Sequence, residues 1–150
     1  MNIVNIILGA VCAVVVLSVL AVVYFKRVPR RLKTDKFAKE WKQLQAYCKD
    51  KKTWPDALSE ADKLLDSALK KRKFKGKSMG ERMVSAQRAI TNNDAMWFGH
   101  NLYKKINAEP KSRLSEADMK SALLGFRGAL KDIGALESPK PQTDEAEVKS

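Results

Sequence analysis

The chain divides into one continuous apolar segment and a longer region in which apolar residues recur with helical spacing. Residues 3–25, IVNIILGAVCAVVVLSVLAVVYF, have only Asn5 and Ser18 as clearly polar side chains. A helix needs about 20 residues to cross a hydrocarbon core of about 30 Å. In lipid, a helix also satisfies every backbone group internally. We therefore predict that residues 1–25 form a transmembrane anchor.

A cleaved secretory signal is the alternative for this segment, because Val19, Leu20 and Ala21 loosely imitate a cleavage site. The segment lacks a basic n-region, and its apolar run exceeds the usual length of about 7–15 residues. A lipoprotein signal at Cys12 is disfavoured, because the apolar run continues well past that cysteine. An uncleaved anchor fits the pattern better.

Residues 35–136 predict a helical bundle. The first amphipathic segment, 35–51, places Phe37, Trp41, Leu44 and Cys48 on one face. No segment shows the alternation of apolar and polar residues that is typical of a half-buried β-strand. The predicted fold class is all-α: one N-terminal transmembrane helix followed by a cytosolic bundle of four to five helices, with short connections that favour antiparallel neighbours. The other predicted core residues are Ala57, Ala61, Leu64, Leu65, Ala68, Leu69, Met79, Met83, Ala86, Ile90, Trp97, Leu102, Ile106, Met119, Ala122, Leu123, Phe126, Leu130 and Ile133.

Capping residues mark where these helices begin and end. Hydroxyl and amide side chains at a helix start accept hydrogen bonds from unpaired backbone amides, and glycine or proline stops a helix. The predicted starts are Thr53 with Pro55, the Ser78–Glu81 capping box, the Asn-Asn-Asp run at 92–94 and the Ser115–Asp118 box, and the predicted stops are Gly76, Pro110 and Gly134.

A basic collar, residues 26–34, separates the anchor from the bundle. Under the positive-inside rule these cations stay in the cytoplasm, so the N-terminus faces outward and the bundle lies beneath the plasma (inner) membrane. Anionic lipid head groups are the partners that the collar predicts. Residues 137–150 contain few apolar side chains and predict a flexible tail. The collar residues assigned to the membrane surface are Lys26, Arg27, Arg30, Arg31 and Lys33.

The bundle carries much of the positive charge. The chain has 29 basic and 17 acidic residues, which gives a formal net charge of +12. The basic segment, residues 70–77 (KKRKFKGK), has three open interpretations: solvation of a helix end, contact with an anionic membrane, or phosphate contacts with base stacking. The residues that would bind a nucleic acid or another anion are Lys70, Lys71, Arg72, Lys73, Phe74, Lys75 and Lys77.

The sequence offers few groups for catalysis, and we predict no enzyme activity and no cofactor. His100 is the single histidine, and the two cysteines, Cys12 and Cys48, are predicted on opposite sides of the membrane interface. A multi-histidine or cysteine-rich metal site is therefore excluded within one chain. Phosphate-binding and nucleophile-elbow motifs are absent from the sequence.

Two further interpretations concern the polar residues of the bundle. Glu60, Asp62 and Asp66 have helical spacing and predict a solvated acidic face. His100 predicts a hydrogen-bonded residue at the edge of the core. The alternative is that His100 faces a cleft shared with Glu109 or Asp94.

Two stretches, ADKLLDSALKKRKFKGKSMGERMVSAQR and NDAMWFGHNLYKKINAE, resemble small helical domains of the HEPN type. The resemblance implies a helical fold and, in ribonuclease members, an arginine, a polar neighbour and a histidine as the reactive set. Trp97, His100, Leu102, Ile106 and Glu109 agree with the family's pattern. The reactive positions instead hold Tyr103, Lys104 and Ala108, and alanine cannot transfer a proton.

The resemblance thus implies a non-catalytic scaffold or binding domain. Our leading hypothesis is a membrane-anchored interaction protein that binds a protein partner or a second copy of itself. His100, Tyr103 and Lys104 form the predicted partner surface. The alternative is an RNA-binding HEPN-like protein that uses the basic segment.

Overall fold

The computed structural model describes residues 2–27 and 32–137, and within them it contains helices and no strand. This confirms the all-α prediction. A short 3₁₀ helix, Lys51–Thr53, precedes the third α-helix. The α-helices are α1 (Ile3–Arg27), α2 (Thr34–Tyr47), α3 (Trp54–Lys71), α4 (Met79–Ala86), α5 (Asn93–Ala108) and α6 (Glu116–Asp132).

Helix α1 is long and apolar enough to cross a membrane, and it is the one such helix in the described part of the chain. Its residues up to Tyr24 are exposed, so they do not form part of the bundle core. The hydroxyl of Ser18 donates to the carbonyl oxygen of Val14 at 2.7 Å, so this polar group is satisfied inside the helix. The side chains of Lys26 and Arg27, all of Arg30 and Arg31, and residues 138–150 of the predicted tail lie outside the described residues.

Helix α3 is the centre of the bundle and packs against α2, α4, α5 and α6. Its buried face alternates leucines with the small residues Ala57, Ala61 and Ala68, which lets neighbouring helices approach closely. The largest fully buried side chains are Phe37, Leu58, Leu65, Leu69, Met83, Met96, Phe126, Leu130 and Ile133.

Contacts between the helices show that consecutive long helices run antiparallel. The ammonium of Lys71, at the end of α3, lies 5.1 Å from the centroid of the Phe37 ring in the first turn of α2. The backbone amide of Thr91, before α5, donates to the carboxylate of Asp132 at the end of α6, at 2.7 Å. One end of the bundle therefore holds the start of α2, the end of α3, helix α4, the start of α5 and the end of α6.

Helices α5 and α6 form the tightest crossing, and two glycines make it possible. A Cβ on Gly99 would lie 2.9 Å from the Phe126 ring, and a Cβ on Gly125 would collide with the carbonyl group of Ala95. These distances are shorter than the contacts that a Cβ atom makes in proteins. Each helix therefore needs a glycine where its backbone meets the other helix. We did not predict either glycine from the sequence.

Three of the predicted helix starts are confirmed. The side-chain oxygens of Ser78, Asn92 and Ser115 accept hydrogen bonds from the backbone amides of the residues three positions later, at 3.2, 3.0 and 3.0 Å. The predicted stop at Gly134 is also confirmed, since this residue has φ of 75° just after α6. Helix α5 ends at Ala108, just before the predicted stop at Pro110, and α3 starts at Trp54 with Pro55 in its first turn, as predicted.

Three details of the boundaries need correction. The Thr53 hydroxyl does not cap α3, because it donates to the carbonyl oxygen of Tyr47 at 2.6 Å. Helix α2 ends at Tyr47 rather than at 51, where the 3₁₀ helix starts. Helix α3 ends before Gly76: Lys73 adopts φ of 61°, and the Phe74 amide donates back to the carbonyl oxygen of Leu69 at 3.1 Å. That bond forms a Schellman-type end in which lysine takes the position that glycine usually holds.

Candidate functional sites

His100 forms a buried pair with an acidic residue of the central helix. Its Nδ1 lies 2.8 Å from Oδ1 of Asp62, and both residues are buried. Because a carboxylate can only accept, the imidazole donates this bond. The His100 ring also meets the edge of Trp97, with ring centroids 6.0 Å apart, and lies beside Tyr103. The prediction of a hydrogen-bonded histidine at the core is confirmed, and its partner is neither Glu109 nor Asp94.

The predicted acidic face of α3 is wrong for two of its three residues. Asp62 is buried against His100, and Asp66 is bound by basic side chains, while Glu60 remains exposed in an ion pair with Lys63 at 2.9 Å. Asp62 and Asp66 are four residues apart and share the side of α3 that meets α4 and α5, whose own polar residues reach them, whereas Glu60 lies two residues before Asp62 and faces solvent. Burial of His100 also removes it from the predicted partner surface, where Lys104 is exposed and Tyr103 is half-buried.

Arg82 links α3, α4 and the basic segment. Its Nε and Nη2 both donate to Oδ1 of Asp66, at 2.7 and 2.6 Å, and its Nη1 donates to the carbonyl oxygen of Gly76 at 2.8 Å. Burial by itself raises the pKa of the Asp66 carboxyl, but hydrogen bonds from Lys70 and Arg82 outweigh burial and hold that pKa below its usual value. The Asp66 carboxylate therefore stays charged and compensates a buried guanidinium.

Substitution of His100 should reveal a structural role. We expect His100→Ala to lower the free energy of unfolding by about 2 kcal/mol, because Asp62 is left buried without its donor. The measurement is urea unfolding of the full chain in detergent micelles, followed by tryptophan fluorescence. All three tryptophans, Trp41, Trp54 and Trp97, lie in the bundle, so the signal reports the bundle and not α1.

The exposed neighbour Asn101 supplies the control for His100. Asn101→Ala should leave stability within about 0.5 kcal/mol of the unchanged protein. The double variant with Asp62→Ala should lose less than the sum of the two single losses, since both single variants break the same bond. Equal effects of His100→Ala and Asn101→Ala would contradict the buried-pair interpretation.

A groove lies between α2 and α6 at the surface of the bundle. It has a volume of about 410 Å³. We call it the α2–α6 groove, and it is lined by Trp41, Gln45, Cys48, Trp54, Glu116, Met119, Lys120, Leu123, Leu124 and Arg127. Burial raises the pKa of the Cys48 thiol in this groove, so that the cysteine behaves as a small apolar residue. Our sequence interpretation did not identify this surface.

The structure separates the roles of residues within the basic segment. Lys70 pairs with Asp66, Lys71 lies over the Phe37 ring at 5.1 Å, and Lys75 and Lys77 are exposed. Phe74 is partly buried against the core and follows the end of α3. Its ring contributes to closing that helix end, which reduces what it can offer to a stacked base.

In comparisons with known proteins, no family model, curated protein or solved structure matches the chain. The resemblance to HEPN domains stays a prediction, and so does the absence of catalysis. The two candidate surfaces, the α2–α6 groove and the basic segment, therefore rest on this chain's own geometry.

Proposed function

We propose that this is a single-pass membrane protein whose bundle lies in the cytosol and holds a protein partner at the inner face of the plasma membrane. The α2–α6 groove is the surface that receives the partner, and the bundle itself catalyses no reaction. The single observation that carries this proposal is the large exposed apolar side chain of Leu124, which stands beside the groove with 57% of its surface exposed.

Anchoring is supported by α1, which is apolar along its length and has no buried contact in the described part of the chain. The cluster of cations directly after it favours a cytosolic bundle under the positive-inside rule. An exposed apolar helix of this length is unfavourable in water. Each square ångström of apolar surface that is removed from water stabilises the protein by about 25 cal/mol. Lipid supplies the environment in which α1 is stable.

A non-catalytic role is supported by the contacts of the polar residues that could otherwise act in catalysis. His100 is engaged with Asp62, and Asp66 is engaged with Arg82 and Lys70. The contacts of His100 with Asp62 and of Arg82 with Asp66 join α3 to α5 and to α4, so both have a structural use. The reactive positions of the HEPN-like pattern hold Tyr103, Lys104 and Ala108 in place of the family's arginine, polar neighbour and histidine.

The partner that the groove fits is a protein segment with an apolar face and acidic flanks. Met119, Leu123 and Leu124 supply apolar contact area, and the exposed cations Lys120 and Arg127 stand on the same side of α6. A second copy of this chain is a poorer match, since two chains of net charge +12 repel each other. Acidic flanks on the partner complement the two cations and speed association.

Site-specific photo-cross-linking in membranes tests the groove. A photoreactive amino acid replaces Leu124 in the full chain, and the matched control position is Val84 on α4, which is 58% exposed. We expect a discrete adduct with another protein from position 124 and none from position 84. We also expect the charge-reversed variant Lys120→Glu with Arg127→Glu to reduce that adduct severalfold, because it would repel acidic flanks.

Three outcomes would contradict the proposed partner. Equal adducts from positions 84 and 124 would mean that Leu124 is an ordinary exposed residue. An adduct of twice the chain's own mass would replace the partner by a second copy. An adduct that charge reversal leaves unchanged would remove the acidic flanks from the proposal.

A further inference from the structure

The lysines of the basic segment project from a backbone that is held in place. The amide of Lys75 donates to the hydroxyl of Ser85 at 3.1 Å, and the amide of Lys77 donates to the carboxylate of Glu81 at 2.7 Å. Arg82 binds the carbonyl oxygen of Gly76 between them. The exposed side chains of Lys75 and Lys77 therefore stand at a defined place on the bundle.

The acidic groups near this segment are already engaged. Asp66 receives Lys70 and Arg82, and Glu81 accepts the backbone amide of Lys77. Glu81 keeps its charge in that bond, but residues 70–77 hold six cations against Asp66 and Glu81, so the exposed Lys71, Lys75 and Lys77 give this surface a net positive charge. Such a surface attracts anions over about 8–10 Å at physiological ionic strength.

The basic segment and the start of α2 share one end of the bundle. Lys71 lies over the ring of Phe37, which belongs to the first turns of α2, at 5.1 Å. Thr34, at the first position of α2, lines a pocket of about 410 Å³ together with Lys131 near the end of α6 and Leu136 just after it. The exposed Lys33 immediately precedes this helix, so it adds a cation at the same end.

Covalent geometry brings that end close to α1. Only residues 28–31 separate Arg27, the last residue of α1, from Leu32. A chain spans at most about 3.6 Å per residue, so the Cα atoms of Arg27 and Leu32 lie within about 18 Å of each other by any path. If α1 crosses the membrane, this end of the bundle is the one nearest the lipid head groups.

We propose that the basic segment, through Lys71, Lys75 and Lys77 and together with Lys33, docks the bundle on anionic lipid head groups. This contact fixes the orientation of the bundle and directs the opposite end, with residues 51–54 and 110–115, away from the membrane. The α2–α6 groove runs toward that opposite end and stays open to a partner from the cytosol. This inference rests on the proposed membrane anchoring. RNA offers the same phosphate chemistry to these lysines, and the experiment separates the two.

Lysine acetylation of the full chain in nanodiscs measures the contact directly. The discs contain phosphatidylcholine alone, or about three parts phosphatidylglycerol to seven parts phosphatidylcholine. Mass spectrometry then gives the acetylation rate of each lysine. We expect Lys71, Lys75 and Lys77 to react roughly fivefold more slowly on the anionic discs, the factor that corresponds to one lysine held at an anionic surface. High salt should restore their rates, because the attraction is screened.

Lysines at the opposite end provide the internal control. Lys105 and Lys111 are exposed, lie near the end of α5, and should react at the same rate on both kinds of disc. The variant Lys75→Glu with Lys77→Glu should also lose the slowing at Lys71, whereas Lys105→Glu with Lys111→Glu should keep it. Both variants change the net charge equally, so only position distinguishes them.

The remaining outcomes separate this inference from the anchoring itself. If the chain stays in the discs through an alkaline wash while Lys75 and Lys77 react equally on both, the docking is wrong and the anchor stands. If the wash removes the chain, both proposals fail together. If a short RNA slows Lys75 and Lys77 on phosphatidylcholine discs while the anionic discs do not, the segment is an RNA site and the docking is overturned.

Discussion

Gly125→Ala should lower the free energy of unfolding of the bundle by roughly 3 kcal/mol, the upper range for overpacking a tight contact. A Cβ at this position would collide with the backbone carbonyl group of Ala95, and a backbone atom cannot rotate away as a flexible side chain can. Helices α5 and α6 would have to separate, and the separation would loosen Phe126, which packs against Gly99 across the same interface.

Gly128 supplies a matched control one turn later in α6. A Cβ there meets no atom within 4 Å, so Gly128→Ala should raise stability by about 0.5–1 kcal/mol through its better helix propensity. Urea unfolding of both variants in micelles, followed by tryptophan fluorescence, checks the pair. Opposite signs support the close crossing of α5 and α6, and a stabilised Gly125→Ala variant would show that these helices are farther apart than the structure has them.

The face of α5 shows where sequence interpretation reached its limit. Apolar size suggested Trp97, Leu102 and Ile106 as the core positions. In the structure Met96, Gly99, His100 and Ile106 are buried, and Trp97 and Leu102 are partly exposed. The prediction was right for Ile106, but Gly99 and His100 carry no apolar signal, so their burial was missed and the partly buried Trp97 and Leu102 were taken as core. The burial of Gly99 and His100 depends on partners in α3 and α6 that no single-helix pattern contains.

Local signals predicted the helices more reliably than their mutual contacts. The serine caps at Ser78 and Ser115 and the glycine stop at Gly134 depend on neighbouring residues alone, and they are confirmed. The end of α3 was predicted at Gly76 because glycine favours positive φ, but Lys73 takes that conformation. Packing of Phe74 against the core stabilises this earlier end, and tertiary packing overrides the preference of a single residue.

The same limit applies to the candidate surfaces. The basic segment is visible in the sequence as a run of lysines, but its nearness to the start of α2 follows only from the antiparallel packing of α2 and α3. The α2–α6 groove combines residues that lie as far apart in the chain as Trp41 and Arg127. No spacing rule relates such positions, because three intervening helices set the distance between them.

The second large effect concerns the buried guanidinium of Arg82. Asp66→Ala should lower the free energy of unfolding by about 3 kcal/mol at neutral pH, because it leaves a buried charge without its carboxylate. The side chain of Arg82 is only 8% exposed, so water cannot replace Asp66 without opening the contact between α3 and α4. Glu60→Ala on the same helix is the control, since its exposed pair with Lys63 should contribute less than about 0.5 kcal/mol.

The contribution of Asp66 should also depend on pH in a defined direction. Lys70 and Arg82 lower the folded-state pKa of this carboxyl below its usual value of 3.8, against the opposing effect of burial. The unfolded chain therefore takes up its proton at higher pH than the folded chain does. The stability that Asp66 provides is complete above the usual value and is lost as the pH falls through the folded pKa.

Urea unfolding of the unchanged chain and of Asp66→Asn in zwitterionic micelles, measured from neutral pH down to acid, isolates this dependence. Asparagine keeps the shape of the side chain and removes its titration, so the other carboxylates cancel in the difference between the two proteins. We expect the difference to be constant above about pH 5 and to shrink below it, because only the unchanged chain must protonate Asp66. A difference that stayed constant into acid would mean that Asp66 titrates alike in the folded and unfolded chains. In that case Asp66 would fill space between α3, α4 and the basic segment, but its charge would not stabilise the buried guanidinium of Arg82.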